Sequence, residues 1–126
     1  MLEVSETIVS SAAVAWSVLT DTHAWPRWGP SVRAVEAPQR FITAGMHGRV
    51  QATPGLWLPF EITGWDEGRY WAWRVGGIPA TGHRVIPVSV TSCRVTFTIP
   101  RWAPFYSPVC RIALRRIASL GAGDMA

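Results

Sequence analysis

The sequence predicts an α+β fold. It should form a curved antiparallel sheet of six to seven strands wrapped around one long C-terminal helix, with two short helices between strands one and two. Three observations lead there. Helical character is confined to the stretch after the first strand and to the C-terminal fifth of the 126 residues. Between them lie six short β-rich runs separated by Gly, Pro or Asp-Glu-Gly punctuation. The last helix also carries an apolar stripe broad enough to cover one face of a sheet.

Taken in order, Glu3 to Val9 alternates weakly and ends β-branched, which makes it the first strand. "SSAAVAWSVLTD" then turns helical: Ser10 or Ser11 can cap the free amides, and Ala12, Ala13, Ala15 and Leu19 favour helix. Asp21 or Thr22 can cap a second short helix, "THAW", which Pro26 and Gly29-Pro30 are expected to end. "SVRAVEAP", "MHGRVQAT", "LWLPFEITGW", "RYWAWRV", "TGHRVIPV" and "CRVTFTIP" read as consecutive antiparallel hairpins, with Asp66 to Gly68 and Gly76 to Pro79 as the clearest turns. Pro104 and Pro108 stand where prolines open helices. From Val109, "VCRIALRRIASL" places Val109, Ile112, Ala113, Ile117 and Leu120 on one stripe, with Arg111 and Arg115 off it. Gly121 is expected to cap this helix, leaving 121–126 as a frayed tail.

Composition narrows the function classes. Residues 1–126 suit a single domain, and 48% hydrophobic content with eight tryptophans excludes a disordered chain. No run approaches the roughly 20 apolar residues of a membrane span, so no integral membrane segment is expected. The N-terminus carries acidic residues where a signal peptide would be basic, which points to the cytoplasm. Cys93 and Cys110 fit buried free thiols better than a disulfide framework. The net charge of +4 comes from arginines scattered singly, so nucleic-acid binding ranks behind small-molecule binding. No metal-ligand spacing, nucleophile elbow or phosphate-binding glycine loop occurs, so neither a metal nor a cofactor is expected.

Several stretches carry a family resemblance. "SSAAVAWSVLTDTHAWPRWGPSVRAVE" has a helix ending Leu19-Thr20-Asp21 followed by Trp25-Pro26-x-Trp28. "GLWLPFEITGWDEGRYWAWRV" is a hairpin with a tryptophan-rich return, and "TGHRV" precedes "CRVTFTIP". Together they resemble the START-like (SRPBCC) superfamily, which includes the polyketide cyclase/dehydrase and lipid-transport families, over residues 3 to 120. The resemblance implies a helix-grip fold with a hydrophobic cavity between sheet and C-terminal helix. It also implies a lipid- or polyketide-like ligand in that cavity. The chain is short for the superfamily, which suggests a small cavity or none.

The candidate residues follow from strand geometry. A turn centred on Gly77-Ile78 would set Trp73 opposite Gly82, Trp71 opposite Arg84 and His83 near Ala72, with Arg84 stacked on Trp71; a one-residue slip reverses every face. His83 is the first candidate for a general acid or base, with Tyr70 as a second proton carrier. The competing reading puts His83 on the solvent face beside Tyr70 and Arg74. Trp57, Trp65, Trp71, Trp73 and Phe97 are candidate cavity walls. Glu61, read as sharing a face with Trp57 and Trp65, could pair with Arg74 to orient a polar ligand or could stand exposed. His23 and His47 are read as surface residues, and Trp16, Trp25 and Trp28 as packing for the short helices.

Three functions remain open at this point. The chain could bind a small hydrophobic or aromatic ligand as monomer or homodimer. It could be a cyclase or dehydratase acting in the same cavity. Or it could be a cavity-less protein acting through an interface such as "RWAPFYSP".

Overall fold

The computed structural model describes residues 2–125, with side chains described through residue 122. The strands are β1 (Leu2–Ile8), β2 (Val32–Glu36), β3 (His47–Ala52), β4 (Leu56–Asp66), β5 (Tyr70–Val75), β6 (Ile78–Ser89) and β7 (Ser92–Ile99); the helices are α1 (Ala12–Thr20), α2 (Trp25–Trp28) and α3 (Ser107–Met125). Every strand pairing is antiparallel, in the order β1-β7-β6-β5-β4-β3-β2. The expected helix-grip architecture is what the chain adopts: β1 crosses to the far edge beside β7, and α3 lies against the inner face.

Local chemistry explains the element ends. Ser11 caps α1 by accepting a hydrogen bond from the Val14 amide. Gly76 and Gly77 both take left-handed backbone angles, φ 61° and 77°, so Val75 pairs directly with Ile78 through a two-residue turn. The second helix corrects the sequence reading. Pro26 does not end it; it sits in the first turn of Trp25–Trp28, where its missing N–H costs nothing. The indole N–H groups of Trp25 and Trp28 donate to the Leu19 and Val18 carbonyls, tying α2 to the end of α1.

The stripe of α3 that faces the sheet is Cys110, Ala113, Leu114 and Ile117, rather than one led by Val109 and Ile112. Small Cys110 and Ala113 let the helix come close, while Ile112 is turned to solvent. Gly121 does not cap α3 either, since the helix runs on to Met125. A Cβ at Gly121 would meet Ser10 Oγ at 2.9 Å, so a side chain there would press on the segment before α1. The expected fraying concerned a tail whose side chains from residue 123 on, and whose last residue, lie outside the described residues.

Candidate functional site

On the inner face of the sheet, aromatic rings from three adjacent strands gather within a surround of aliphatic side chains such as Ile62, Val85 and Val95. Trp71 and Trp73 project from β5, His83 from β6 and Phe97 from β7, and α2 adds Trp25 and Trp28 from above. Trp25 stacks on Trp71 at 5.4 Å with the planes 12° apart. Trp71 stacks in turn on the His83 ring at 3.9 Å, and Phe97 meets that ring edge-on at 4.7 Å. This arrangement requires a register one residue away from the expected turn: Trp71 stands opposite His83, and Tyr70 opposite Arg84. His83 is therefore inside, 1% exposed, which corrects the solvent-face reading.

Two irregularities set the faces. On β6 three residues step past two of β5 between Ala72 and Arg74, which leaves Thr81 and His83 both directed inward beside Trp73. On β4 the register shifts between Ile62 and Gly64, so Trp65 faces inward opposite Trp71 and packs edge-on against Trp16 at 5.4 Å. Trp57 and Glu61 precede that shift and remain on the outer face. Arg49 lies over the Trp57 ring, and Glu61 sits 3.8 Å from exposed His47. Arg74 stands opposite Glu61 in the ladder but is exposed. Tyr70 is also outside, its ring covering Gly82 and its face under the Arg84 guanidinium at 5.7 Å; Arg84 stacks there and not on Trp71. Of the nine expected site residues, the structure brings Trp71, Trp73, His83 and Phe97 together. It leaves Trp57, Glu61, Arg74 and Tyr70 outside, and puts Trp65 at the far end of the inner layer.

The polar groups of this aromatic site form one directed chain. The Trp71 carbonyl can only accept, so His83 Nδ1, 3.3 Å away, carries the ring hydrogen. Nε2 must then accept, and the Thr81 hydroxyl donates to it at 3.0 Å. Thr81 Oγ1 accepts in turn from Trp73 Nε1 at 3.3 Å. Burial drives the His83 pKa down to about 3, against the Trp71 carbonyl, which favours the proton. At neutral pH His83 is an uncharged imidazole of fixed tautomer. One group breaks the pattern: Trp71 Nε1 is buried and has no hydrogen-bond partner among the described residues.

The space enclosed is small. Its volume is about 40 Å³, bounded by these rings, by Ser31 and Tyr106 at one end and by Cys110 and Ala113 of α3. A water needs roughly 10–15 Å³ on this measure, so the cavity suits a few waters and not a drug-sized ligand. Burial pushes the Cys110 thiol up to about 11. A second hollow, a surface groove of about 230 Å³, adjoins the cavity and shares Trp73, Thr81 and Tyr106 with it. Tyr106, in the 3-10 turn Pro104–Tyr106, stands between the two and is hydrogen-bonded to Ser31 Oγ at 2.5 Å. Sequence reasoning missed Trp25, Trp28, Thr81 and Tyr106 as site residues. The Trp-Pro-x-Trp spacing, which puts two indoles on one helical face, was the available signal for the first two.

A family model described as polyketide cyclase / dehydrase and lipid transport matches residues 1–125. No curated protein matches the sequence significantly. Among solved structures, the chain is similar to the Zhui aromatase/cyclase of a Streptomyces species, at TM-score 0.75 and 12% identity, covering 99% of this chain and 94% of that one. It is similar to a protein from Thermobifida fusca at TM-score 0.71 and 20% identity, covering 96% and 93%. It is also similar to a point mutant of Thalictrum flavum norcoclaurine synthase in complex with a transition-state analogue, at TM-score 0.61 and 14% identity, covering 99% and 95%. At these identities the likeness is one of fold. No helix among the described residues is long and apolar enough to cross a membrane.

Proposed function

The chain belongs to the polyketide cyclase/dehydrase and lipid transport family, and on that premise we propose that it binds a small, flat, mainly apolar molecule between the sheet and α3. The observation that carries the reading is the unpartnered Trp71 N–H, buried in a wall of stacked rings. A buried donor without an acceptor is costly, on the order of 1–3 kcal/mol, and a ligand carbonyl or phenol oxygen would relieve it. The rings supply the rest, at about 25 cal/mol per Å² of apolar surface covered before the costs of association. Because the cavity is only about 40 Å³, entry requires Tyr106 and its turn to move away from Ser31, joining cavity and groove.

The test begins with native and denaturing mass spectra of the purified protein, to detect a retained small molecule. It continues with tryptophan-fluorescence titration of aromatic and polyketide-like compounds. Trp71→Phe keeps an aromatic ring, though a smaller one, and removes the N–H. Relative to ligands without an acceptor, it should cost acceptor-bearing ligands about three- to tenfold in affinity, the worth of one hydrogen bond. A clean apo mass with no titratable compound and no thermal shift would overturn the reading in favour of a filled core.

A second reading, turnover of a polyketide-like substrate, draws on the family and on His83. A neutral imidazole with its Nε2 lone pair inward is a usable base once Thr81 rotates away. Burial works against it, because the imidazolium it would form is strongly disfavoured there. Tyr70, on the outer face, takes no part in this reading. Loss of turnover in His83→Asn with ligand affinity retained would favour the enzyme.

A further inference from the structure

The end of the molecule where Tyr106 closes the cavity differs from the other end in a way that ligand binding alone does not use. Four segments meet there: 29–33, 53–56, 76–79 and 100–108. None contains an Asp or Glu. They present exposed Leu56, Ile78, Trp102 and Phe105, the last two 56% and 70% accessible. Trp102 is not a loose side chain, since its indole N–H donates to the Pro79 carbonyl at 3.0 Å and fixes the ring outward beside the β5–β6 turn. Exposed Arg74 and Arg101 flank the patch, and Arg111 follows one turn into α3. Glu3, the nearest acid on β1, is engaged by Arg84 on the outer face at 3.4 Å. The opposite end also exposes apolar side chains, Val88, Val90 and Phe41, but it carries Asp21, Glu36, Asp66 and Glu67, and the Phe41 ring lies under the Arg40 guanidinium, which is itself paired with Asp21.

We propose that this acid-free, aromatic and arginine-flanked mouth docks on an anionic lipid surface. The chemistry fits that occupant on two counts. Indole and phenyl rings seat at the boundary between headgroups and acyl chains, and arginines flanking them meet lipid phosphates. The segment that would seat is also the segment that shuts the cavity, so docking would bring the Tyr106 closure against the layer from which an apolar ligand would come. The inference does not depend on the proposed ligand site. Variants of Trp71 or His83 should leave it untouched.

Flotation of the full chain with phosphatidylcholine vesicles, and with vesicles that also contain phosphatidylglycerol, tests it. The wild type should float with the mixed vesicles, far less with phosphatidylcholine alone, and less as salt is raised. Trp102→Ser combined with Phe105→Ser should lower partitioning about tenfold or more, the scale of withdrawing buried aromatic surface. Arg74→Gln with Arg101→Gln should abolish the preference for anionic vesicles, while Val88→Ser with Val90→Ser should change nothing. All these positions are exposed, and unchanged thermal melts would establish that the variants fold. The proposal is overturned by a wild type that binds neither vesicle, or by a mouth variant that binds as well as wild type. It is equally overturned by displacement with inorganic phosphate, which would mark a free-anion site, or by a dimer that the mouth variant dissociates.

Discussion

Mild acid tests the neutral burial of His83. In the folded chain its pKa is about 3, whereas an unfolded histidine titrates near 6.5. Between those values the unfolded chain takes up a proton that the folded chain refuses, so stability falls as pH is lowered and is unaffected above the unfolded value. Each unit costs about 1.4 kcal/mol, which gives about 2 kcal/mol by pH 5, about 4 kcal/mol by pH 3 and about 5 kcal/mol in full below that. That full loss matches the lower end of an ordinary domain's stability, so unfolding should precede it. The assay is urea denaturation followed by tryptophan fluorescence, at steps from about pH 7 to about pH 5, for the wild type and for non-titrating His83→Gln. Carboxylates contribute equally to both proteins. The wild type's advantage over the variant should therefore shrink by about 2 kcal/mol across the window. A difference that stays flat with pH would show that His83 titrates in the folded chain as it does in the unfolded one, and the hydrogen-bond chain from Trp73 to Trp71 would fall with it.

The remaining predictions probe packing and closure. Gly48→Ala places a methyl 2.6 Å from the Glu36 carbonyl oxygen and the Phe60 ring, and should lower stability by about 1–3 kcal/mol in the same urea assay. Phe97→Ala empties the floor under His83 and Trp28, at a cost of about 3–5 kcal/mol. Tyr106→Phe removes the hydrogen bond to Ser31 and should speed ligand association in stopped-flow fluorescence, with little change in melting temperature. Cys110, whose thiol lines the cavity and is pushed up to about 11, should react slowly with thiol reagents at neutral pH. A bound ligand should slow it further, and Tyr106→Phe should accelerate it.

Much of the fold was legible because its signals are local. Serine caps, paired glycines, prolines and alternating β-branched residues each act within a few positions, and together they fixed element order and strand count. Two misreadings were also local in origin. Pro26 has the same effect on its own N–H whether it opens a helix or follows one, and only the indole bonds from α2 to α1 decide between them. In α3, Cys110 and Leu114 compete with Val109 and Ile112 for the buried stripe. Close approach to the sheet favours the face with the smaller residues, which hydrophobicity alone does not rank.

The site was harder to read because it depends on two places where alternation fails. Strict period two carries Trp57, Glu61 and Trp65 to one face, but the shift after Ile62 sends Trp65 inward and leaves the other two outside. A two-glycine turn, followed by an extra residue on β6, carries His83 from beside Arg74 to beneath Trp71. A bulge costs ladder hydrogen bonds, so it persists where re-aiming a side chain brings a compensating contact. Here the compensation is visible: the β6 shift lets Thr81 bridge Trp73 and His83, and the β4 shift lets Trp65 meet Trp16. The positions that a regular strand pattern misplaces are thus the ones that hold the polar chain inside the aromatic wall. An unbulged β6 would keep the hairpin but break that chain, and with it the fixed tautomer on which both ligand orientation and any proton transfer at His83 would rest.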